Sequence, residues 1–223
     1  MPFVELKEYT LEPEGFGEGL LNIDFSLSAG EVYDVQADQI DDATLFLKGL
    51  ATLACPVKGT YRFDGEYLNL TDYRQLLSCK RRIGYISQHA AMISNQTVRE
   101  NLLLIRYFHE NSLGITLDDD TESLCRQFDL IDKLDQKPGG LHPQDIQNAI
   151  TVRELSKAAD LLLLERPEDF IDNTKIDILI KVLKKLQDKG LTIVFFSFDD
   201  VFERAFAVKN ILISNGNLNL FSP

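Results

Sequence analysis

Leu161-Leu-Leu-Leu164, set between Asp160 and Glu165-Arg166-Pro167, restricts the fold of this chain more than any other feature. Four consecutive apolar residues leave no polar face, so a strand made of them is buried on both sides of its sheet. A second apolar run, Leu191–Ser197, follows an amphipathic stretch, Lys175–Lys189, that stops at Gly190. Buried strands separated by helices indicate an α/β layer sandwich. The chain can fill such a core: 44% of its 223 residues are hydrophobic and 26% charged.

The remaining elements follow from periodicity and punctuation. Residues 3–9 and 20–28 read as strands, with apolar alternation in Leu20–Phe25 and a turn at Ala29-Gly30. Glu31–Val35 is a short strand, followed by a polar loop and an amphipathic helix over Thr44–Leu53. Pro56 and Gly59 break the chain before a hairpin of Thr60–Phe63 and Glu66–Leu68 turning at Asp64-Gly65. Arg82–Ser87 is a further buried strand. From Val98 to Gln136 the pattern is helical, opened by a capping box of Thr97 and Glu100 and divided at Gly114–Asp120, with the second helix over Thr121–Phe128. A break at Pro138-Gly-Gly precedes a helix near Pro143–Lys157, and a hairpin of Asn210–Ser214 and Leu218–Phe221 across Asn215-Gly216 closes the chain.

Charge and composition exclude several function classes. A formal net charge of −12 opposes a general grip on nucleic acid or anionic lipid. Three scattered cysteines, Cys55, Cys79 and Cys125, show neither zinc spacing nor a disulfide framework, which favours a reducing compartment. His89, His109 and His142 are too far apart in sequence to suggest a metal site. The acidic, proline-containing start is unlike a signal peptide, and no apolar stretch reaches the roughly 20 residues of a membrane span. A cytoplasmic location is expected, with any membrane contact made through a partner. Glu154, Lys157 and the Lys181–Lys189 cluster read as solvated helix faces, and most of Phe195, Phe196, Phe198, Phe202 and Phe206 read as packing residues.

The order of landmarks resembles the ATP-binding cassette (ABC) family along nearly the whole chain. Gly30-Glu31, Ala51-Thr52-Leu53, Pro56, Gly59, Asp64-Gly65, Arg82–Gln88 and Thr97–Asn101 fall in that family's sequence and spacing. The resemblance implies a P-loop NTPase-like α/β fold: a mixed core sheet, an antiparallel β subdomain and an inserted helical subdomain. Residues 1–223 would form one domain, with 1–88 and 158–223 as core and β parts and 89–157 as the helical part. Ala90–Val98 and Glu100–His109 further resemble the ATPases of mammalian-cell-entry (MCE) type lipid-trafficking systems, although the proline of their arginine-tyrosine run is missing.

The residues that do the family's chemistry are replaced. Aligned on Thr44, the P-loop glycine positions hold Ala37, Ile40 and Asp42, and the lysine position holds Ala43. Leu141–Asn148 stands in place of the signature, with His142 and Pro143 removing a hydroxyl and a backbone donor. The magnesium-liganding aspartate is Glu165, the catalytic glutamate is Arg166, and the switch histidine is Phe198. Arginine cannot serve as a general base. Tyr9, Thr44 and Gln88 remain as vestiges of the nucleotide site and Asp172 of the dimer-facing loop, each equally readable as a turn, cap or core residue. If Asp38, Asp41 and Asp42 faced a triphosphate, each contact near 4 Å would cost roughly 4 kcal/mol at an effective dielectric of about 20. Two would cancel micromolar affinity of about 8 kcal/mol. The expectation is therefore that ATP and magnesium binding is unlikely, with no metal and no other cofactor.

The selective loss points to a non-catalytic subunit, structural or regulatory, of a membrane transporter. Its partners would be an ABC permease, docked at Gln88, Met92, Ile93 and Tyr107, and either a second copy or a competent ATPase subunit, faced by Asp172. The alternatives are a divergent active ATPase lending one half-site to an asymmetric dimer, and a scaffold or regulator unconnected to transport.

Overall fold

The computed structural model describes residues 2–110 and 114–221; the side chain of His109, and with it the reading of that histidine, lies outside the described residues. Two sheets are present among them. One is antiparallel, in the order β2 (Leu20–Leu27), β1 (Val4–Leu11), β4 (Lys58–Phe63), β5 (Glu66–Tyr67). The other runs β10 (Asn217–Phe221), β9 (Val208–Ser214), β3 (Val32–Ala37), β8 (Thr192–Phe196), β7 (Leu161–Glu165), β6 (Ile83–Ile86). In this sheet β3 pairs in parallel with β8 and β9, and β7 with β6 and β8, while β10 is antiparallel to β9. The expected mixed core sheet and separate antiparallel sheet are therefore both observed.

The four-leucine run is explained by two distinct cores. Leu161 and Leu163 pack with the antiparallel sheet and α1 (Ile40–Leu50), whereas Leu162 and Leu164 pack with the opposite layer. That layer holds α3 (Val98–Glu110), α4 (Asp119–Gln127), α5 (Pro143–Leu155), α6 (Asn173–Gln187) and the short α7 (Val201–Ala205). All four leucines are at most 1% exposed. Burial of each is worth about 1.5–3 kcal/mol, so neither face tolerates a polar residue. Helices α3 to α5 lie between β6 and β7 in the chain, where the inserted helical segment was expected.

The punctuation behaves as its chemistry requires. Asp64-Gly65 and Asn215-Gly216 both have two consecutive positive φ values (49° and 84°; 49° and 71°), the geometry of a type I′ hairpin turn. Thr97 and Glu100 form the capping box: the Thr97 amide donates to Glu100 Oε2 at 2.7 Å, and the Glu100 amide donates to Thr97 Oγ1 at 3.2 Å. The Thr97 amide and hydroxyl, both donating to Oε2, hold the Glu100 carboxyl below its ordinary range.

Two elements depart from expectation. The helix predicted from Thr44 begins at Ile40, about one turn earlier, because Ile-Asp-Asp-Ala has no glycine to keep it open. An unforeseen helix, α2 (Tyr73–Lys80), is capped by Asp72, which accepts from the Arg74 and Gln75 amides at 3.0 and 3.4 Å.

Candidate functional site

Only Asp38 and Gln39 connect β3 to α1, so no extended glycine loop wraps the helix N-terminus. The Gln39 side chain makes no capping hydrogen bond there. The acids of the first turn are engaged by backbone amides of a preceding loop. Asp41 Oδ2 accepts the Phe16 amide at 2.6 Å, and Asp42, 3% exposed, accepts the Gly19 and Glu18 amides at 2.8 and 3.1 Å. Asp38 Oδ2 accepts the Ser214 hydroxyl at 2.5 Å. The loop of residues 14–19 is thus fastened onto α1, and only glycine fits at its closest points. A Cβ on Gly15 or Gly17 would come within 2.3 Å of the Asp41 or Asp42 carboxylate.

Thr44 and Glu165, distant in sequence, meet at the head of the fold. Thr44 Oγ1 donates to Glu165 Oε1 at 2.8 Å, and the Tyr85 hydroxyl donates to Oε2 of the same carboxylate. α1 supplies the threonine, β7 the glutamate and the neighbouring β6 the tyrosine. Glu165 is 5% exposed. Burial, and then the Glu165 charge, raise the Tyr85 phenol above its ordinary range, so it stays a donor. A hydroxyl and a carboxylate fixed on rigid elements suit magnesium, which takes one or two carboxylates and keeps several waters. The lysine position, Ala43, is fully buried and brings no charge to the site. Tyr85 was missed by sequence reasoning; its signal was a lone phenol in the otherwise apolar strand Ile83–Ile86.

One residue further along, the chemistry changes. Arg166 adopts φ 47° and ψ 57°, a left-handed conformation uncommon for a non-glycine residue, and its amide donates to the Phe196 carbonyl at 2.7 Å. Its guanidinium pairs with Asp169 at 2.5 Å and lies 5.2 Å from the centre of the Phe198 ring. Phe198 is 61% exposed and sits edge-on to Phe196, with its amide donating to Glu168 Oε1 at 2.8 Å. The positions assigned to a base and a switch histidine are therefore in contact, and neither side chain can accept a proton.

The other expected residues separate into kept and relocated. Tyr9 is fully buried beneath α1 with its ring against Tyr61, so it has no face open to a base; the vestigial stacking role is corrected to a core role. Asp172 caps α6, accepting the Thr174 amide at 2.8 Å. His142 caps α5 by accepting the Gln144 amide on Nδ1 at 3.3 Å, and Pro143 opens that helix without an N–H. Gln88 and Ile93 are exposed, and Met92 and Tyr107 half-buried. Asn101, fully buried, holds the segment before α3: its Nδ2 donates to the Ile93 and Thr97 carbonyls at 3.1 and 2.9 Å, and its Oδ1 accepts the Ile93 amide at 2.7 Å. Glu154 is not on a solvated face. It is 4% exposed, paired with Arg153 and Lys157, and accepts the Tyr85 amide at 3.2 Å, because α5 crosses β6 there. Phe195, Phe196 and Phe202 are buried, as expected.

A mixed sheet with a strand–loop–helix at β3–α1, and an acid at the end of β7 with β8 between the two strands, defines a layered α/β domain. Within that class, the chain has the fold of an ABC transporter ATPase domain, and the sequence resemblance to that family is borne out by comparison with known proteins. It is 27% identical over 181 residues to the macrolide export ATP-binding/permease protein MacB of Campylobacter jejuni, covering 81% of the chain and 28% of that relative. It is 24% identical over 202 residues to the arginine transport ATP-binding protein ArtM of Bacillus subtilis, covering 91% of the chain and 84% of the relative. Among solved structures, the ATP-binding cassette MJ0796, a dimer in a post-hydrolysis state bound to ADP and Pi, superposes with a TM-score of 0.82 at 21% identity, covering 98% of both chains. No family model matches the sequence. The chain spans little more than a quarter of the macrolide exporter it matches.

These relatives correct one expectation. Binding of ATP and magnesium was expected to be unlikely, yet the relatives are named ATP-binding proteins and the matched cassette holds ADP and Pi. The expected repulsion supposed Asp38, Asp41 and Asp42 to face the phosphates, whereas Asp38 is engaged with Ser214, and Asp41 and Asp42 with the loop of residues 14–19.

Proposed function

We propose that this chain is an ABC ATPase-type subunit of a membrane transporter that does not turn over ATP, and that its work is structural or regulatory. The observation that carries the proposal is the Arg166–Phe198 contact, which fills the base and switch positions with side chains unable to take a proton from water. ATP with magnesium is the ligand to which the relatives' names point, and Thr44 and Glu165 are the residues that would meet the metal. Bound ATP would supply the phosphates that complete the coordination of a metal; Thr44 and Glu165 would orient that metal, and Arg166 would leave the attacking water unactivated.

The partners in this reading are an ABC permease and either a second copy or a competent ATPase subunit. Gln88, Met92, Ile93 and Tyr107 would meet the permease, on a segment whose backbone Asn101 holds in place. Asp172 would lie toward the second cassette. The division into core and β parts (1–88, 158–223) and a helical part (89–157) of one domain belongs to the same proposal. No helix among the described residues is long and apolar enough to cross a membrane. A cytoplasmic, peripheral position therefore rests on the permease contact. The likeness of residues 90–109 to MCE-type ATPases supports lipid trafficking as the transport class.

A second reading has its own support. The intact Thr44–Glu165 pair is what a subunit lending one half-site to an asymmetric, active dimer would keep. Steady-state phosphate release separates the two, measured on the chain alone and mixed with a competent cassette subunit. The proposal expects background release alone, with no change in turnover per competent subunit on mixing. Release by the chain alone that disappears in Thr44→Ala would refute it, and stimulation on mixing would favour the second reading.

A further inference from the structure

Glu165 is a buried carboxylate whose two oxygens are treated differently. Oε1 and Thr44 Oγ1 lie 2.8 Å apart at the head of α1, while Oε2 is turned into the sheet to accept from the Tyr85 phenol. The one arginine beside it in sequence, Arg166, is directed to Asp169 instead. The phenol therefore fixes the rotation of the carboxylate, holding one oxygen toward Thr44 on α1. Its ring is anchored: Tyr85 lies on β6, packs partly against the core beneath α1, and receives a backbone bond from its amide to Glu154.

We propose that Tyr85 is the positioning residue of a divalent-cation site formed by Thr44 Oγ1 and Glu165 Oε1. A ligating carboxylate that is free to rotate loses the fixed geometry a small, hard cation demands. Partners that orient a ligand in this way typically contribute 10- to 100-fold in metal affinity. Tyr85 touches no reacting atom; it acts through Glu165. The inference holds whether or not the chain hydrolyses ATP.

The test uses Mn²⁺ alone, titrated into the full ¹⁵N-labelled chain, with paramagnetic broadening of the Thr44 and Glu165 amides as the readout. Wild type is expected to broaden first at these amides. Tyr85→Phe should need about tenfold more Mn²⁺ for the same broadening, with an otherwise native spectrum. Glu165→Gln should lose the localised effect. Equal midpoints for wild type and Tyr85→Phe, or broadening confined to exposed acids such as Asp118–Asp120, would overturn the proposal. If Tyr85→Phe does not fold, the Tyr85 hydroxyl proton of the wild type decides the matter: its hydrogen-bonded resonance should shift on adding Mg²⁺, and an unmoved resonance overturns the assignment. No arm reads turnover, so ATP hydrolysis by this chain would refute the preceding reading and leave this one standing.

Discussion

Glu165 and Arg166 are adjacent, yet they sit at two ends of one site that have diverged in opposite ways. On the Glu165 side, three elements converge to satisfy a buried acid with two hydroxyls. On the Arg166 side, the base and switch positions hold a guanidinium resting beside an exposed phenyl ring. One side offers a hydroxyl and a carboxylate held in place, and the other a guanidinium and a phenyl ring that cannot take up a proton. In the proposed reading, catalysis would be lost without loss of the whole site. The three aspartates before and within the first turn of α1 are engaged by the chain itself, Asp41 and Asp42 with backbone amides and Asp38 with the Ser214 hydroxyl.

The sharpest way to break the comparison is to delete each neighbour in turn and measure urea unfolding. Glu165→Ala should cost about 3 kcal/mol, because the Thr44 and Tyr85 hydroxyls lose their acceptor in a buried site. Equality with its neighbour's effect would show that the metal side is not specially built. Next comes Asp34, a buried acid of the central strand β3 whose side chain, among the described residues, accepts a hydrogen bond from Gln36 Nε2 alone, at 3.1 Å. Burial foremost, with Glu203 adding to it, pushes its carboxyl up to about 6 from 3.8, against the lowering effect of Gln36. The raised value means that ionisation is disfavoured in the fold, so stability falls as pH rises from about 4 to about 6 and stays low above that. Asp34→Asn should therefore stabilise by about 2–3 kcal/mol at pH 8 and have little effect at pH 4, as read from urea midpoints. A pH-independent effect would count against this account of a carboxylate left without adequate partners.

Asp42→Ala should cost about 2 kcal/mol by releasing the Glu18 and Gly19 amides, and should speed hydrogen exchange across residues 16–19. Unchanged exchange there would mean that the carboxylate does not hold the loop. The smallest effect belongs to Arg166→Gly. Glycine relieves the left-handed backbone by about 1 kcal/mol, and the half-exposed pair with Asp169 is worth about the same. Calorimetry should place the net change within about 1 kcal/mol; a larger loss would make Arg166 a structural residue in its own right.

Much of the layout could be read from residues whose chemistry allows one solution. The leucine run demanded a doubly covered strand, the Asp-Gly and Asn-Gly pairs demanded tight hairpins, and Thr97 with Glu100 demanded a helix start. Helix α2 was also announced, by Asp72 as a cap, but its short, polar surface gave too weak a periodicity to be noticed. The site was less legible because it depends on direction. Sequence shows three aspartates near a phosphate-binding position, but not that Asp41 and Asp42 are bonded to residues 16–19 and Asp38 to Ser214. It places an aromatic near the end of β1, but not that Tyr9 turns inward. The Tyr85–Glu165 bond joins adjacent strands 80 positions apart, a pairing that only the register of β6 with β7 reveals.

The central claim, a metal side retained beside a base side lost, is tested most directly by single-turnover quench with radiolabelled ATP and magnesium on the purified chain. The account predicts that label retained by the protein is recovered as intact ATP, and that retention falls in Glu165→Gln. Recovery of ADP and phosphate at a rate unaffected by Arg166→Ala but abolished by Glu165→Gln would contradict it, placing the catalytic base somewhere other than the position Arg166 now occupies.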